Sequence, residues 1–361
     1  DCLGGTVHPN TWPVFQRVHG SETPTPNVVF MAHAHGLKST LHAGFVNTYL
    51  STVPIEWHSP TDCLWVPLML LHVLVARTIR TAFTLASCRF DKTTRVSVWS
   101  VPRMGWDYMK ASSHDEINSI LKDSIRSAGR MGCTHVGLGA LNKAQFLNGG
   151  GAALLATAKA ANVTLVHGNT LTAAVVWDSI RRLVPRGSHI VMTGGTSSIG
   201  AALVGLLGQD GYKLSIVSSS EERFQSLLRI NSSLRRYERV EDVRGTNPWW
   251  CLGKRWAVES DAMTASLLGD ATVLDFAEPS LSGAQRRLCK LYTNVGSLSF
   301  NPKRLDLTFC FAQPGRIPAC FAALLIHHLD KKKAHEVGEL PQDRKVYERW
   351  LERAKFWSFD T

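Results

Sequence analysis

The stretch Thr193-Gly194-Gly195-Thr196-Ser197-Ser198-Ile199-Gly200 has the residue types of a phosphate-binding turn. It follows the apolar run "HIVM" and precedes "AALVGLL", so it lies where a strand gives way to a helix. Holding a phosphate this way needs a tight bend, backbone N–H groups facing outward and a helix whose N-terminal dipole favours the anion. Thr193, Gly194 and Gly195 would form the bend. Thr196, Ser197 and Ser198 put small hydroxyl side chains at the helix start, and Gly200 lets helix and strand approach closely. Against the pattern G-x-G-x-x-G the middle glycine is replaced by Ser197, which can cap the helix or donate to a phosphate oxygen. In an NAD site the following strand, here ending near Val217, usually carries Asp or Glu for the ribose hydroxyls. This chain has Ser218-Ser219-Ser220-Glu221-Glu222-Arg223 instead. Hydroxyls with Arg223 suit a 2′-phosphate, so NADP(H) is the expected cofactor at the Gly194 turn. The missing glycine and the missing strand-end acid leave a second reading open, in which the fold is kept and no nucleotide is bound.

Other side chains could move protons. His335-Glu336 and His327-His328 flank a polar interruption near the C-terminus. A histidine there could protonate a reduced carbonyl, with Glu336 orienting an imidazole; a solvated helix end would look the same. His167 and Asn169 fall where a strand meets a helix N-terminus, a usual place for ligand contacts in open α/β sheets. Asn148-Gly149-Gly150-Gly151 follows a comparable strand, and its glycines suit either close approach to a ligand or a plain turn. No metal site is expected. His33, His35 and His42 in "HAHGLKSTLH" do not make an H-x-x-H-H box, and the eight cysteines contain no C-x-x-C.

The elements that would position these groups alternate along the chain. "THVGLGAL", "VTLVHG", "HIVMTG", "KLSIVS", "WWCLG" and "ATVLDF" are patterned as strands. "HDEINSILKDSIRSAGRMG", "GAALLATAKAAN", "NTLTAAVVWDSIRRLV" and "SSIGAALVGLLGQDG" are patterned as helices, and 324–357 as helix with a polar break. Alternation of this kind predicts an α/β fold, a Rossmann-like parallel sheet with flanking helices. It is expected over 95–361, after a membrane-proximal segment at 1–94. That segment holds "CLWVPLMLLHVLVA", shorter than the roughly 20 residues needed to cross a bilayer. Extended to residue 88 it takes in Arg77 and Arg80, and the pattern of 63–88 predicts an interfacial helix with snorkelling arginines, or else a buried core helix. The formal charge of +11 favours anionic surfaces. Its basic residues are scattered, so a nucleic-acid partner is not expected.

Longer strings carry a resemblance. "GRMGCTHVGLGALNKAQFLNGGGAALL" and "VTLVHGNTLTAAVV", with "WSVPRMGWDYM", "TGGTSSIG", "EERFQSL", "RRLC" and "AHEVG" in the same order, resemble the C-terminal domain of the plant very-long-chain aldehyde decarbonylase family of cuticular-wax and alkane biosynthesis. The resemblance implies a reductase-like domain acting on a long-chain acyl or aldehyde substrate at the membrane. It further implies an endoplasmic reticulum location with the soluble part cytoplasmic. Iron would enter only through a histidine-box domain lying upstream or on a partner. The opening "DCLGGT" resembles the segment after the last such box, so the chain is expected to be the later part of a longer protein or a stand-alone relative of it.

Bacterial fatty acyl-carrier-protein reductases are more distantly similar. Gly168-Asn169-Thr170-Leu171-Thr172-Ala173 resembles their G-N-x-x-T-A segment, which adds Thr172 to the substrate-binding candidates, and Ala319-Cys320-Phe321-Ala322 resembles an A-C-F-A string. Their acylated cysteine aligns near Ala271, which cannot attack an acyl group. Cys289, beside Arg286, Arg287 and Lys290, is the replacement nucleophile expected here, because neighbouring positive charge promotes the thiolate. The catalytic candidates are therefore Cys289, His335 and Glu336. A module without catalysis, gripping a partner enzyme or presenting aldehyde to an iron-containing domain, is the alternative.

Overall fold

A computed structural model describes residues 26–34, 78–90, 93–243, 248–254, 261–277, 280–300 and 315–361. They fall into two compact units. The first comprises the described residues through His167 together with His327–Val337, and the second takes those of Gly168–Asn301, Gly315–Ile326 and Gly338–Thr361.

The first unit is built on a five-stranded sheet in the order β2-β3-β1-β4-β5. Its strands are β1 (Val28–Ala34), β2 (Phe83–Arg89), β3 (Arg95–Met104), β4 (His135–Leu138) and β5 (Thr164–Val166). β2 is antiparallel to β3, and the other neighbours are parallel. β1 and β3 are rich in valine and almost wholly buried, as strands of a sheet covered on both faces must be. Helix α1 (His114–Arg130) buries Ile117, Ile120, Leu121, Ile125 and Ala128, a stripe at spacings of three and four. Asp115 and Glu116 in its first turn and Arg130 in its last complement the helix dipole. A shorter helix, α2 (Leu155–Ala160), leads into β5.

The second unit opens with α3 (Asn169–Leu183) and holds a six-stranded, wholly parallel sheet in the order β11-β10-β9-β6-β7-β8. The strands are β6 (His189–Thr193), β7 (Lys213–Val217), β8 (Arg235–Tyr237), β9 (Trp249–Leu252), β10 (Thr272–Asp275) and β11 (Leu291–Asn294). Between them run α4 (Ser198–Gln209), α5 (Glu221–Leu228), α6 (Asp261–Leu268) and α7 (Gly283–Arg287). Numbered from β6, the order reads 6-5-4-1-2-3, the doubly wound dinucleotide-fold arrangement. It reverses direction between β6 and β9, and ligands of such sheets bind outside the carboxyl ends of the strands at that reversal. A small antiparallel sheet joins β12 (Ser297–Phe300) to β13 (Arg316–Pro318) and β14 (Phe359–Asp360). Helices α8 (Ala319–Leu329) and α9 (Arg344–Phe356) follow β13 in the chain.

All six strands expected from pattern are present, and the Rossmann-like parallel sheet is the fold of the second unit. The structure departs from expectation upstream. Residues 63–77 of the anticipated apolar helix lie outside the described residues, and Phe83–Arg89 is strand β2 instead of the helix's end. "FTLASC" fits an edge strand because β3 offers it an antiparallel partner, which sequence pattern alone does not reveal. Strands β1, β2 and β3 thus pair in one sheet although they lie on either side of the expected boundary at 94/95. No helix among the described residues is long and apolar enough to cross a membrane.

Candidate functional site

The glycine turn lies at the reversal point of the second unit. β6 ends at Thr193, whose carbonyl accepts from Gly253 N at 3.0 Å and whose Oγ1 is 3.4 Å from both Lys254 N and Lys254 O. Gly194 adopts φ +69°, and a Cβ there would come within 2.7 Å of the Gly253 carbonyl carbon. At Gly200 a Cβ would stand 2.4 Å from Gly194 O, and at Gly195 2.8 Å from Ile216 Cδ1. Gly194 and Gly200 are therefore required by close approach to backbone, with Gly200 in the helix-packing role, while at Gly195 the neighbour is the Ile216 side chain.

Ser197 needs no such freedom. Its backbone is extended (φ −78°, ψ 164°), and its Oγ caps α4 by accepting from Gly200 N at 3.1 Å. Ser197 N donates to Gly194 O at 3.0 Å. This leaves the amides of Ser198 and Ile199 in the first helical turn, where no intrahelical acceptor exists. Thr196 and Ser198 are half-buried beside them. A turn this tight, opening a twelve-residue helix, fits a pyrophosphate with Ser197 in the middle-glycine place.

At the end of β7 the serines fold into a local turn. Ser218 Oγ donates to Ser220 O at 3.2 Å, and Ser220 Oγ caps α5 by accepting from Arg223 N at 3.3 Å. Arg223 itself is exposed. The arginine brought against this turn is Arg236 of β8, which donates from Nε to Ser218 O at 2.9 Å and from Nη2 to Ser219 O at 3.3 Å, and pairs with Glu221. Sequence pattern does not single out Arg236, because the contact depends on β7–β8 pairing.

The first unit carries a second polar set at the carboxyl ends of its strands. Asn142 donates to Met31 O at 3.0 Å and accepts from Tyr108 OH. Asn148 donates to Asn142 O at 2.9 Å, and its Oδ1 accepts from Gly151 N at 2.9 Å, holding the glycine loop. His33, at the end of β1, accepts from Leu141 N through Nε2 at 3.2 Å and packs on the Tyr108 ring; His35 and His42 lie outside the described residues. Lys143 is half-buried and donates to His167 O at 2.6 Å, with no carboxylate in ion-pair distance among the described residues. Sequence reading passed over this lysine, although a cation in a loop after a parallel strand is the signal that marks it.

Beyond β5 the chain's later segment joins the sheet. Val166 and Glu336 form a parallel bridge, with Glu336 N donating to Leu165 O and His167 N to Glu336 O, both at 2.9 Å. This register sets the Glu336 carboxylate between two buried imidazoles: Oε1 is 3.1 Å from His167 Nδ1 and Oε2 is 3.2 Å from His327 Nε2. Burial disfavours the charge, yet the two imidazole contacts together outweigh it and hold the carboxyl well below the usual carboxylate range. His335 accepts from Leu165 N through Nδ1 at 3.0 Å, and burial lowers its pKa. His135 of β4 bonds Lys332 O through Nε2 at 2.8 Å, and burial pushes its pKa down to about 4. His328 Nδ1 is 3.0 Å from Thr134 Oγ1. Glu336 thus joins His167 and His327 in one group, while His135 and His328 meet at Thr134 Oγ1 and His335 is bound to the backbone of β5. Among the described residues no group of His, Cys, Asp or Glu has the arrangement of a metal site.

Thr172, Asn169 and Cys289 are the remaining expected residues. Thr172 Oγ1 donates to Gly168 O at 2.9 Å within α3, while Asn169 is buried in the first turn of that helix. Cys289 lacks the expected activation. It is partly buried, donates to Gln285 O at 3.5 Å, and its pKa is pushed up by burial and by the Asp275 carboxylate. Arg286 is directed away, donating to Leu281 O at 2.8 Å and Ser280 Oγ at 2.6 Å and lying over the Tyr292 ring. Asp275 is itself buried at the end of β10, accepting from Ala277 N, Leu281 N and Tyr292 OH.

No family model matches the chain. Curated relatives do. It is 28% identical over 358 residues to "Very-long-chain aldehyde decarbonylase GL1-1" of Oryza sativa subsp. indica, covering 95% of this chain and 55% of that protein. Against "Very-long-chain aldehyde decarbonylase CER1" of Arabidopsis thaliana it is 22% identical, covering 94% of this chain and 53% of that one. Among solved structures, L-tryptophan dehydrogenase from Nostoc punctiforme matches at 10% identity and a TM-score of 0.39, covering 93% of this chain and 82% of that chain. Shikimate dehydrogenase from Aquifex aeolicus matches at 11% identity and 0.38, covering 92% and 99%. Over almost its whole length the chain is thus similar to the very-long-chain aldehyde decarbonylases, and it spans about half the length of the curated relatives it matches.

Proposed function

We propose that this chain is a reductase-like part of a very-long-chain aldehyde decarbonylase-type protein, acting in fatty aldehyde and alkane (wax) biosynthesis with NADP(H) bound at the Gly194 turn. The observation that carries the reading is the turn itself: glycines at 194 and 200 where a Cβ would meet backbone, at the reversal point of a 6-5-4-1-2-3 parallel sheet. Bound there, the nicotinamide would supply a hydride. The chain's own part would be to hold the pyrophosphate on the amides of Ser198 and Ile199. A long-chain acyl or aldehyde group is the proposed substrate class, and within the first unit Lys143, hydrogen-bonded to His167 O, is the cation that would hold a carbonyl or anionic oxygen. The protein is assigned to the cytoplasmic face of the endoplasmic reticulum membrane, working with an iron-containing domain upstream or on a partner.

A second reading, a scaffold without catalysis, is favoured by Cys289, whose thiol pKa is raised by burial and by Asp275, and by alanine at 271. The discriminating experiment supplies a long-chain acyl thioester or aldehyde with NADPH and follows both NADPH absorbance and lipid products. Cofactor oxidation matched by aldehyde or alcohol supports the reductase. Intact substrate with saturated cofactor removes it in favour of the scaffold.

A further inference from the structure

We infer that the Arg236–Glu221 ion pair, and not Arg223, is the device by which this chain distinguishes NADPH from NADH. The inference rests on the NADP(H) reading above.

Three observations support it. First, position: Ile216 of β7 is the register partner of Arg236 on β8. Register partners on adjacent strands point to the same face of a sheet. Gly195 of the phosphate turn sits against Ile216 on that face. Arg236 therefore stands on the turn's own side, two strands from β6, about 10 Å at ordinary strand spacing. An adenosine leaving the turn along the carboxyl ends crosses β7 and arrives there.

Second, fixation: the guanidinium is tied to the carbonyls of Ser218 and Ser219, so it is pinned under the loop that must receive the ribose. Those bonds and the pairing with Glu221 use three of its five N–H groups. Two remain for a phosphate, the fork geometry in which arginine excels. Arg223, by contrast, is exposed and contributes only its backbone amide to the cap.

Third, opposition: Glu221 is more than half exposed and contacts the same guanidinium. Its Oε1 also accepts from Gln225 at 2.6 Å, which fixes the carboxylate near the loop. A carboxylate can accept from the two ribose hydroxyls of NADH, and it repels a 2′-phosphate. The pair thus presents one group for each cofactor, and removing either member should tilt the preference in opposite directions.

The test is the ratio of dissociation constants for NADPH and NADH, read by intrinsic tryptophan fluorescence on the whole chain. Arg236→Ala is expected to weaken NADPH about tenfold or more, the loss of charge-assisted hydrogen bonds, with NADH changed far less. Arg236→Lys should recover only part of that loss, since an ammonium lacks the fork. Glu221→Gln should shift the ratio the other way, tightening NADPH and weakening NADH, by roughly threefold for an exposed pair. Arg223→Ala should move the ratio less than Arg236→Ala does. If both cofactors bind and the ratio is unmoved by Arg236→Ala, or follows Arg223 instead, the inference is overturned while the cofactor reading stands. If wild type binds neither cofactor, both are overturned.

Discussion

Glu336 meets His167 twice, through the main chain, where His167 N donates to Glu336 O at 2.9 Å, and through the side chains, where Oε1 lies 3.1 Å from Nδ1. Because His327 closes on the other carboxylate oxygen, one residue of the later segment fixes the carboxyl end of β5. Replacing one member of such a buried group strands the others without compensation. Glu336→Ala should therefore cost about 3 kcal/mol or more in urea unfolding. A loss below about 1 kcal/mol, the scale of a surface pair, would mean the group contributes no more than exposed charges do.

The same carboxyl gives a pH dependence of definite sign. In the folded chain it titrates below its ordinary 4.5, so its contribution is complete above that value and is lost as pH falls further. Between pH 5 and 3, wild type should lose stability faster than Glu336→Gln. Parallel curves would contradict the assignment.

His135 acts at milder pH. Its pKa falls from 6.5 to about 4 in the folded chain, chiefly through burial, so the unfolded chain binds the proton more readily. Its contribution is intact above pH 6.5 and is lost progressively as pH falls towards 4, by about 3 kcal/mol at full effect. His135→Gln should flatten that part of the stability profile, measured by denaturant midpoints at half-unit pH steps. An unchanged slope would assign the dependence to other groups.

Gly200→Ala tests the packing of the turn. The added Cβ would stand 2.4 Å from Gly194 O and 2.6 Å from Gly195 Cα, and backbone cannot yield as a side-chain tip can. Destabilisation of roughly 1–3 kcal/mol is expected in thermal unfolding, as for other overpacked sites, together with weaker NADPH binding. A variant as stable as wild type would show that helix and turn separate freely.

Cys289 should behave as an ordinary thiol or a slower one. With its pKa raised by burial and Asp275, iodoacetamide labelling followed by mass spectrometry should be slow at pH 7 and lag behind that of an exposed thiol as pH rises. Rapid labelling at neutral pH would restore it as a nucleophile.

How much of this is legible in the sequence depends on range. The strands around Thr193 and Val217, and the cap at Ser197, follow from local patterning, and each is where that patterning puts it. Strand β2 is not legible, because "FTLASC" becomes a strand only through its pairing with β3. For Arg236 the cause is β7–β8 register, and for Cys289 it is burial by parts of the chain distant in sequence. Neighbouring basic residues look activating in a string of letters; in three dimensions Arg286 serves Leu281 and Ser280 instead. His335 and Glu336 were legible as chemical types. Their separation into an amide acceptor and a carboxylate bridging two imidazoles depends on the parallel bridge to Val166.

The central claim, a dinucleotide phosphate held at the start of α4, is tested most directly by calorimetric titration of NADPH into wild type and Ser198→Asp. An aspartate at the first helical position agrees with the helix dipole, so the variant should fold as well as wild type. Its carboxylate would meanwhile occupy the anion's place. The account predicts saturable binding to wild type, with a dissociation constant of about 1 mM or tighter, and none to the variant. Equal heats from both proteins, or none from wild type, would contradict it.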